Sequence, residues 1–574
     1  MKHFNLLFFI IFYSCANQPV DYFSSEAPRL KNKYQATSEK LMISSQGNHS
    51  TNAGIKIAKM GGNIIDVFTA VSFAISVERP QSTGLGGGGF LLYYDPSSMD
   101  EPVSLDFREM APLRAHKKMY VDSSGNEIPL KSRVGMDAAG VPGFVDGVLT
   151  AHKKWGKLPL NKVLAPAVDL AREGFVVYPE LEKALNYKKD DLAKFPATKK
   201  IFFRKSGEVL KAGDLLKQTD LSKTIEYISL KGKDGFYKGY VRDQIVQSSK
   251  VHGSGFFQKK DFNIYKTKFR ATVKGSYKGY PIYSMGPPSS GGVHVIQILN
   301  TLENLNLVEP YGKFEVHAMS SAMMQAFYDR AKYLGDADFV NVPIDGLTSK
   351  GYADDLSKEI KNTKAFDRGS ENALDPFKYE SDETTHFSIM DSEGRVVVTT
   401  QTINGYFGNS VVVEGTGVVM NNEMDDFATK VGASNLFGAI GGKNNLVEAR
   451  KRPLSSMSPT IVLDKESKSP LLAVGTPSGT RILTCVMQTI LNYLEYENNL
   501  YDSVAMKRYH HQWRPNYIRV EGSGFSQELS RQLKDIGHEL KNQNLGCRVQ
   551  AIEFRNNKLT GVSDPRGEGK SQGL

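Results

Sequence analysis

Two runs of strand-forming residues, 384–391 (Thr-Thr-His-Phe-Ser-Ile-Met-Asp) and 395–402 (Arg-Val-Val-Val-Thr-Thr-Gln-Thr), are separated only by Ser392-Glu393-Gly394. A short connection ending in glycine is a favoured hairpin loop, because glycine takes the left-handed conformation easily. Asp391 and Arg395 then flank the turn. Counting outward along antiparallel strands sets Thr384 opposite Thr402, with Cβ atoms about 5 Å apart. Threonine favours strands, so this pattern alone describes a cross-strand pair of hydroxyl residues.

Elsewhere the apolar spacing alternates between helical and extended. From about Asn52 to Val77 it is helical, broken into two helices by Gly61-Gly62, with Ile64, Ile65, Phe68, Val71 and Ile75 forming the buried face of the second. A glycine run, Gly84-Leu85-Gly86-Gly87-Gly88-Gly89, leads into a strand, Phe90-Leu91-Leu92-Tyr93-Tyr94. It lacks the Gly-Lys-Ser/Thr ending of a phosphate loop and precedes a strand rather than a helix, so close backbone packing explains it better. Residues 140–175 turn helical through Val163, Leu164, Val168 and Leu170, and residues 185–275 alternate lysine-rich helices and loops with no identifiable chemistry. The turn Pro287-Pro288-Ser289-Ser290-Gly291-Gly292 feeds a helix, and Tyr333-Leu334-Gly335-Asp336 ends a helix of apolar and methionine residues. Beyond the hairpin, short valine strands lead into the polar cluster of residues 421–427. Strands at Thr460–Leu463 and residues 471–474 follow, the latter opening through Gly475-Thr476-Pro477-Ser478-Gly479-Thr480 into a long apolar helix. Two sheets with helices outside them is the natural packing of such a succession.

At 574 residues the chain is too long for one ordinary core, and its motifs are spread throughout, which predicts one composite α/β unit or two intimately packed halves. The formal charge is +10, from 72 basic and 62 acidic residues. No basic run is interleaved with aromatics, so a nucleic-acid partner is not expected. The N-terminus has a positive start and an apolar run too short to span a membrane, and residues 1–15 read as a secretory signal peptide. Cys15, between Ser14 and Ala16, is either a stray cysteine of that signal or the lipid-bearing first residue of a mature lipoprotein. Cys485 lies in an apolar run and reads as a buried small hydrophobe; neither a disulfide framework nor a metal site is implied.

Residues 362–383 are polar and aperiodic, as in a long loop. A cut between Glu383 and Thr384 would leave Thr384 with a free α-amine beside its own hydroxyl, a nucleophile with its base. Asn404, two residues past Thr402, projects to the same strand face. Glu423, Asp425 and Asp426, the hydroxyls of Ser455 and Ser456, and the backbone N–H groups of Ser478 and Gly479 complete a set suited to a zwitterionic amide. Arg108, between short apolar runs, reads first as a surface residue, and would serve an α-carboxylate if it joined them.

These residues resemble the γ-glutamyltranspeptidases, bacterial type, over nearly the whole mature chain. The resemblance rests on Gly61-Gly62-Asn63, residues 85–90, Asp106-Phe107-Arg108-Glu109-Met110-Ala111-Pro112, residues 287–292, Thr384-Thr385-His386, residues 421–427, residues 453–460 and Ser563-Asp564-Pro565-Arg566, in that order. It implies the N-terminal-nucleophile hydrolase fold, an α/β (α+β) four-layer αββα sandwich. The heterodimer would arise from one self-cleaved precursor, with a large subunit of residues 16–383 and a small catalytic subunit of residues 384–574. By the same resemblance Thr384 is the nucleophile and Thr402 its hydrogen-bonded partner. Arg108, Ser455 and Ser456 hold the γ-glutamyl α-carboxylate; Asn404, Glu423 and Asp426 hold its α-amine; the amides of Ser478 and Gly479 form the oxyanion hole. The implied reaction takes the γ-glutamyl group of glutathione or related compounds through an ester on Thr384 to water, amino acids or peptides, without metal or cofactor. The implied location is the periplasm or cell envelope, with the membrane touched only through a lipid on Cys15. Two positions depart from the family pattern. Ser478 replaces a glycine, which a backbone donor tolerates where φ is negative, and Phe437 in the lid-like segment Ser434-Asn435-Leu436-Phe437-Gly438 replaces a tyrosine, leaving no hydroxyl for Arg108. Two rivals remain at this stage: a glutaryl or cephalosporin-type acylase of the same fold, against which Asp426 argues, and a non-catalytic peptide-binding envelope lipoprotein.

Overall fold

The computed structural model describes residues 27–361, 364–365 and 384–574. The expected signal peptide, Cys15, most of the polar stretch 362–383 and the Glu383 side of the cleavage point lie outside the described residues. Two antiparallel seven-stranded sheets pack face to face. One runs, in spatial order, Lys570–Gly573, Leu41–Ser45, Thr385–Asp391, Val396–Thr402, Gly88–Tyr94, Val103–Asp106, Lys268–Ala271; the other Gln35–Ser38, Lys558–Ser563, Gln550–Arg555, Pro470–Gly475, Thr460–Leu463, Tyr280–Ser284, Val273–Tyr277. Helices Asn48–Lys59 and Ile64–Glu78 cover the first sheet, while Gly291–Glu303 and Arg481–Leu494 cover the second. This is the αββα order that the resemblance implied.

The hairpin sits at the centre of the first sheet, and its alternation sorts its side chains between layers. Phe387, Ile389 and Val397 join the core under helix Ile64–Glu78, with the Phe387 ring 6.0 Å from that of Phe68. Met390, Val396 and Val398 join the core shared with the second sheet. A one-residue slip would exchange the two sets, so burial on both faces pins the register. That register is the expected one: Met390 faces Val396, Thr385 faces Gln401, and Gly394 takes φ +78° in the turn.

The two helices split as expected at Gly61, where φ is +84°. Asn63 caps the second, accepting from the N–H groups of Ile65 and Asp66 at 3.1 and 3.0 Å, while Asp66 accepts from Asn63 N–H at 2.9 Å. The first helix begins at Asn48 rather than Asn52. Its extra turn is held by the Glu78 carboxylate of the neighbouring helix, which accepts from His49 and Ser50 N–H at 2.9 and 2.8 Å, a tertiary cap absent from the local pattern. The glycine run serves close packing: a Cβ on Gly86 would lie 2.1 Å from the Val419 carbonyl oxygen, and one on Gly87 2.0 Å from that of Thr402.

The cysteine reading requires correction. Cys485 is buried, but it is joined in a disulfide to Cys547, 62 residues away. Nothing in the spacing announces the pair, because it forms only when helix Arg481–Leu494 packs against the loop preceding strand Gln550–Arg555.

Candidate active site

Thr384 lies one residue before its strand and Thr402 ends the partner strand, both almost fully buried. The paired register continues to place them side by side. Asn404 reaches the same pocket by a different route from the one expected. The strand stops at Thr402, Asn404 adopts φ +73°, and its N–H donates to the Thr402 hydroxyl at 2.8 Å. A turn, not strand alternation, aims it. His386, beside the two threonines, is no candidate base. Its ring is buried with Nδ1 and Nε2 bonded to Thr400 and Ser388, and burial pushes its pKa down to about 3, which makes it too weak a base to hold a hydroxyl proton.

Around Thr384 the chain gathers Arg108, Thr402, Asn404, Glu423, Asp426, Ser455, Ser456 and Gly479 about a cavity of about 20 Å³. Arg108 is not a surface residue: it is 1% exposed. Its guanidinium bonds Glu423 and, at 2.5 Å, Asp426. Its Nε donates to the Pro453 carbonyl at 3.2 Å, and Glu109 stands 3.8 Å away. Asp425 points elsewhere, accepting from Ser132 Oγ and Arg133 Nε at 2.6 and 3.2 Å and from Leu436 N–H at 2.6 Å. Of the three acids in the cluster, only Glu423 and Asp426 line the cavity with Thr384.

The electrostatics are unbalanced. Burial raises the pKa of Glu423, of Asp426 and of Glu109, the last to about 7, although Arg108 opposes the shift in each. Three buried carboxyls face Arg108 and one further cation, Arg330. Arg330 lines the cavity and donates through Nε to Ser290 Oγ at 3.1 Å, and burial lowers its pKa to about 10. Ionising all the acids would leave one negative charge without a partner in a desolvated space. An ammonium group is the species that would complete it.

Arg330 and Glu109 were not singled out from sequence. The available clue for Arg330 was a cation among the alanines, methionines and phenylalanine of helix Lys313–Tyr333. It reads as an ordinary C-terminal charge until the helix is seen to be buried.

The Ser478-Gly479 turn enters helix Arg481–Leu494. Gly479 takes φ +52°, and a Cβ there would lie 2.3 Å from the Phe437 ring, so this position admits only glycine. Ser478 takes φ +114°, the very condition under which serine was expected to serve poorly. The strain of about 1–3 kcal/mol is opposed by its hydroxyl, which donates to the Leu545 carbonyl at 2.6 Å and accepts from Arg481 Nε at 3.1 Å. Ser478 adjoins the cavity without its side chain lining it. The lid-like segment is tied to the acids rather than to Arg108: Asn435 Nδ2 donates to Asp426 at 2.7 Å, and Phe437 lines the cavity over Gly479.

A family model described as gamma-glutamyltranspeptidase matches residues 50–574. The chain is 41% identical over 529 residues to the glutathione hydrolase proenzyme of Escherichia coli (strain K12), covering 92% of this chain and 90% of that one. Among solved structures, the gamma-glutamyltranspeptidase of Helicobacter pylori is 41% identical, with a TM-score of 0.54 over 55% of this chain and 90% of that chain. The cephalosporin acylase of Bacillus halodurans superposes more fully, with a TM-score of 0.82 over 94% and 97% of the two chains, but at 23% identity that likeness shows the fold alone.

Proposed function

The chain belongs to the γ-glutamyltranspeptidase family, and on that premise we propose that Thr384, freed by self-cleavage after Glu383, is the nucleophile of a γ-glutamyltransferase and glutathione hydrolase. The Thr384 α-amine takes the hydroxyl proton as Oγ1 attacks the γ-carbonyl carbon. The N–H groups of Ser478 and Gly479 receive the oxyanion. As the C–N bond breaks, the proton passes to the departing amine and the γ-glutamyl group remains as an ester on Thr384. Water, or the amino group of an amino acid or peptide, then displaces Thr384 from the carbonyl.

The placement of the buried charges carries the substrate reading. A γ-glutamyl zwitterion adds no net charge, but its α-ammonium, inserted beside Glu423, Asp426 and Asn404, gives those acids a cation in place of Arg108, which is then free with the Ser455 and Ser456 hydroxyls to take the α-carboxylate. Thr402, at hydrogen-bonding reach of the nucleophile by register, orients it. An acyl group without an α-amine would leave the acids as they are, so the acylase rival gains nothing from this site.

The division into residues 16–383 and 384–574, with residues 1–15 removed on export to the cell envelope, belongs to the same reading. It is supported by the N-terminal pattern and by relatives named as proenzymes. Cleavage before Cys15 instead would keep it as the first mature residue, and a lipid on it would anchor the enzyme there. Thr384→Ala is expected to run as one uncut chain with no γ-glutamyl-p-nitroanilide hydrolysis, whereas wild type gives two bands, the smaller beginning Thr-Thr-His-Phe. Turnover by that variant would overturn the assignment.

A further inference from the structure

Thr384 borders a second cavity, of about 250 Å³, lined by Arg79, Lys183, Arg548 and Arg566 and by Glu180 and Glu568. Its charges run opposite to those of the first. Arg79 is held by Glu180 at 3.0 Å, and Arg566 by Glu521 and Asp564 at 2.9 and 3.1 Å. Lys183 and Arg548 form no ion pair among the described residues, and the buried Nε of Arg548 has no hydrogen-bond partner there. Glu568 does little to offset them, because burial and then the charge of Glu180 raise its pKa. Glu180 stays ionised: burial opposes this, but Arg79 and then Arg548 overcome it. The cavity is left with an excess of donors and positive charge.

The chemistry at Thr384 gives that excess a use. In acyl transfer the γ-glutamyl group and the nitrogen it leaves lie on opposite sides of the reacting carbon. If the acid-rich cavity takes the acyl side, the nitrogen side faces the other cavity that Thr384 borders. We propose that this basic cavity is the subsite for carboxylate-bearing leaving groups and acceptors, holding the free carboxylate of the departing or incoming peptide on Lys183 and Arg548. The inference rests on the acyl-transfer reading of Thr384. In the second half-reaction the acceptor amine forms a C–N bond to the ester carbonyl, the C–O bond to Thr384 breaks, and the amine proton returns to Thr384. The two cations hold the far end of the acceptor and take no part in that exchange.

The test uses processed enzyme, with Lys183→Ala, Arg548→Ala and the double variant. Lys183 is exposed, so its replacement leaves packing intact. Three substrates separate the possibilities: γ-glutamyl-p-nitroanilide without acceptor, glutathione, and the acceptor pair Gly-Gly and Gly-Gly-amide. The anilide leaving group has no carboxylate, so its kcat and KM should be unchanged. KM for glutathione and for Gly-Gly should rise a few-fold on losing exposed Lys183 and about tenfold on losing Arg548, whose buried Nε would hold the carboxylate as a hydrogen bond to an ionised group. Wild type should prefer Gly-Gly to its amide, and the double variant should not. Equal losses on anilide and glutathione, or a wild type indifferent to the acceptor carboxylate, would overturn the subsite while leaving Thr384 its role. A processed wild type inert toward the anilide would overturn both.

Discussion

The two cavities that meet at Thr384 present charge under opposite conditions. On one side Arg108 and Arg330 share a cavity of about 20 Å³ with the Glu423 and Asp426 carboxyls, Glu109 stands 3.8 Å from Arg108, and every partner is buried. On the other, cations outnumber acids in about 250 Å³, and Lys183 stands in solvent. A mispaired charge in the first costs several kcal/mol, because no water replaces the lost partner. A charge pair in the second is worth roughly 0–1 kcal/mol where it is exposed and somewhat more toward buried Arg548 Nε. The same enzyme is therefore expected to be strict about the group it takes and tolerant about the molecule that receives it. Both properties follow from how far each cavity is desolvated, not from how many residues line it.

The largest effect should come from the buried side. Asp426→Ala is expected to lower kcat/KM for γ-glutamyl-p-nitroanilide by about 10³, about 4 kcal/mol, by stranding the substrate ammonium. A glutaryl anilide, which lacks that ammonium, should suffer far less; an equal loss on both would show Asp426 to be architectural and remove the asymmetry between the cavities. The disulfide is the next point of attack, because it anchors the loop carrying Leu545 and Arg548 to the helix that follows Gly479. Closing a separation of 62 residues should stabilise the fold by up to about 4 kcal/mol. Cys547→Ser should lower the calorimetric melting temperature accordingly, and an unchanged melting point would show that packing alone holds the loop. The smallest effect concerns Glu109. Burial raises its folded pKa to about 7 from an ordinary 4.5, so its contribution is fully present below about pH 4.5 and is lost as pH rises through about 7. Glu109→Gln should therefore gain melting temperature over wild type between about pH 5 and pH 8, with no gain in acid. A constant difference across that window would place the proton elsewhere in the cluster.

Much of the site was legible at the hairpin. Gly394 and the flanking strand residues fix the register, because side-chain alternation and turn geometry act over a few residues. That register sets Thr384 against Thr402 before anything else is known. The glycine run and the split at Gly61-Gly62 were legible for the same reason. Asn404 was found at the right place for the wrong reason, since the strand alternation stops two residues before it. Arg330 was missed because a cation on a helix says nothing of its burial until a second layer covers it. Ser478 shows how far a residue preference can be overridden: its positive φ is held by Leu545 and Arg481, one of them in a segment remote in the chain.

By itself the sequence determined what sterics and periodicity decide over short spans: the hairpin, its register, the helix break and, through ordered motifs, the family. The tertiary structure alone decided which charges are desolvated together. It turned Arg108 inward onto Glu423 and Asp426, sent Asp425 away to Arg133, joined Cys485 to Cys547, and set Lys183 and Arg548 across Thr384 from the acids. Those outcomes depend on distances between residues far apart in the chain and on the exclusion of water between layers, and no local pattern carries either.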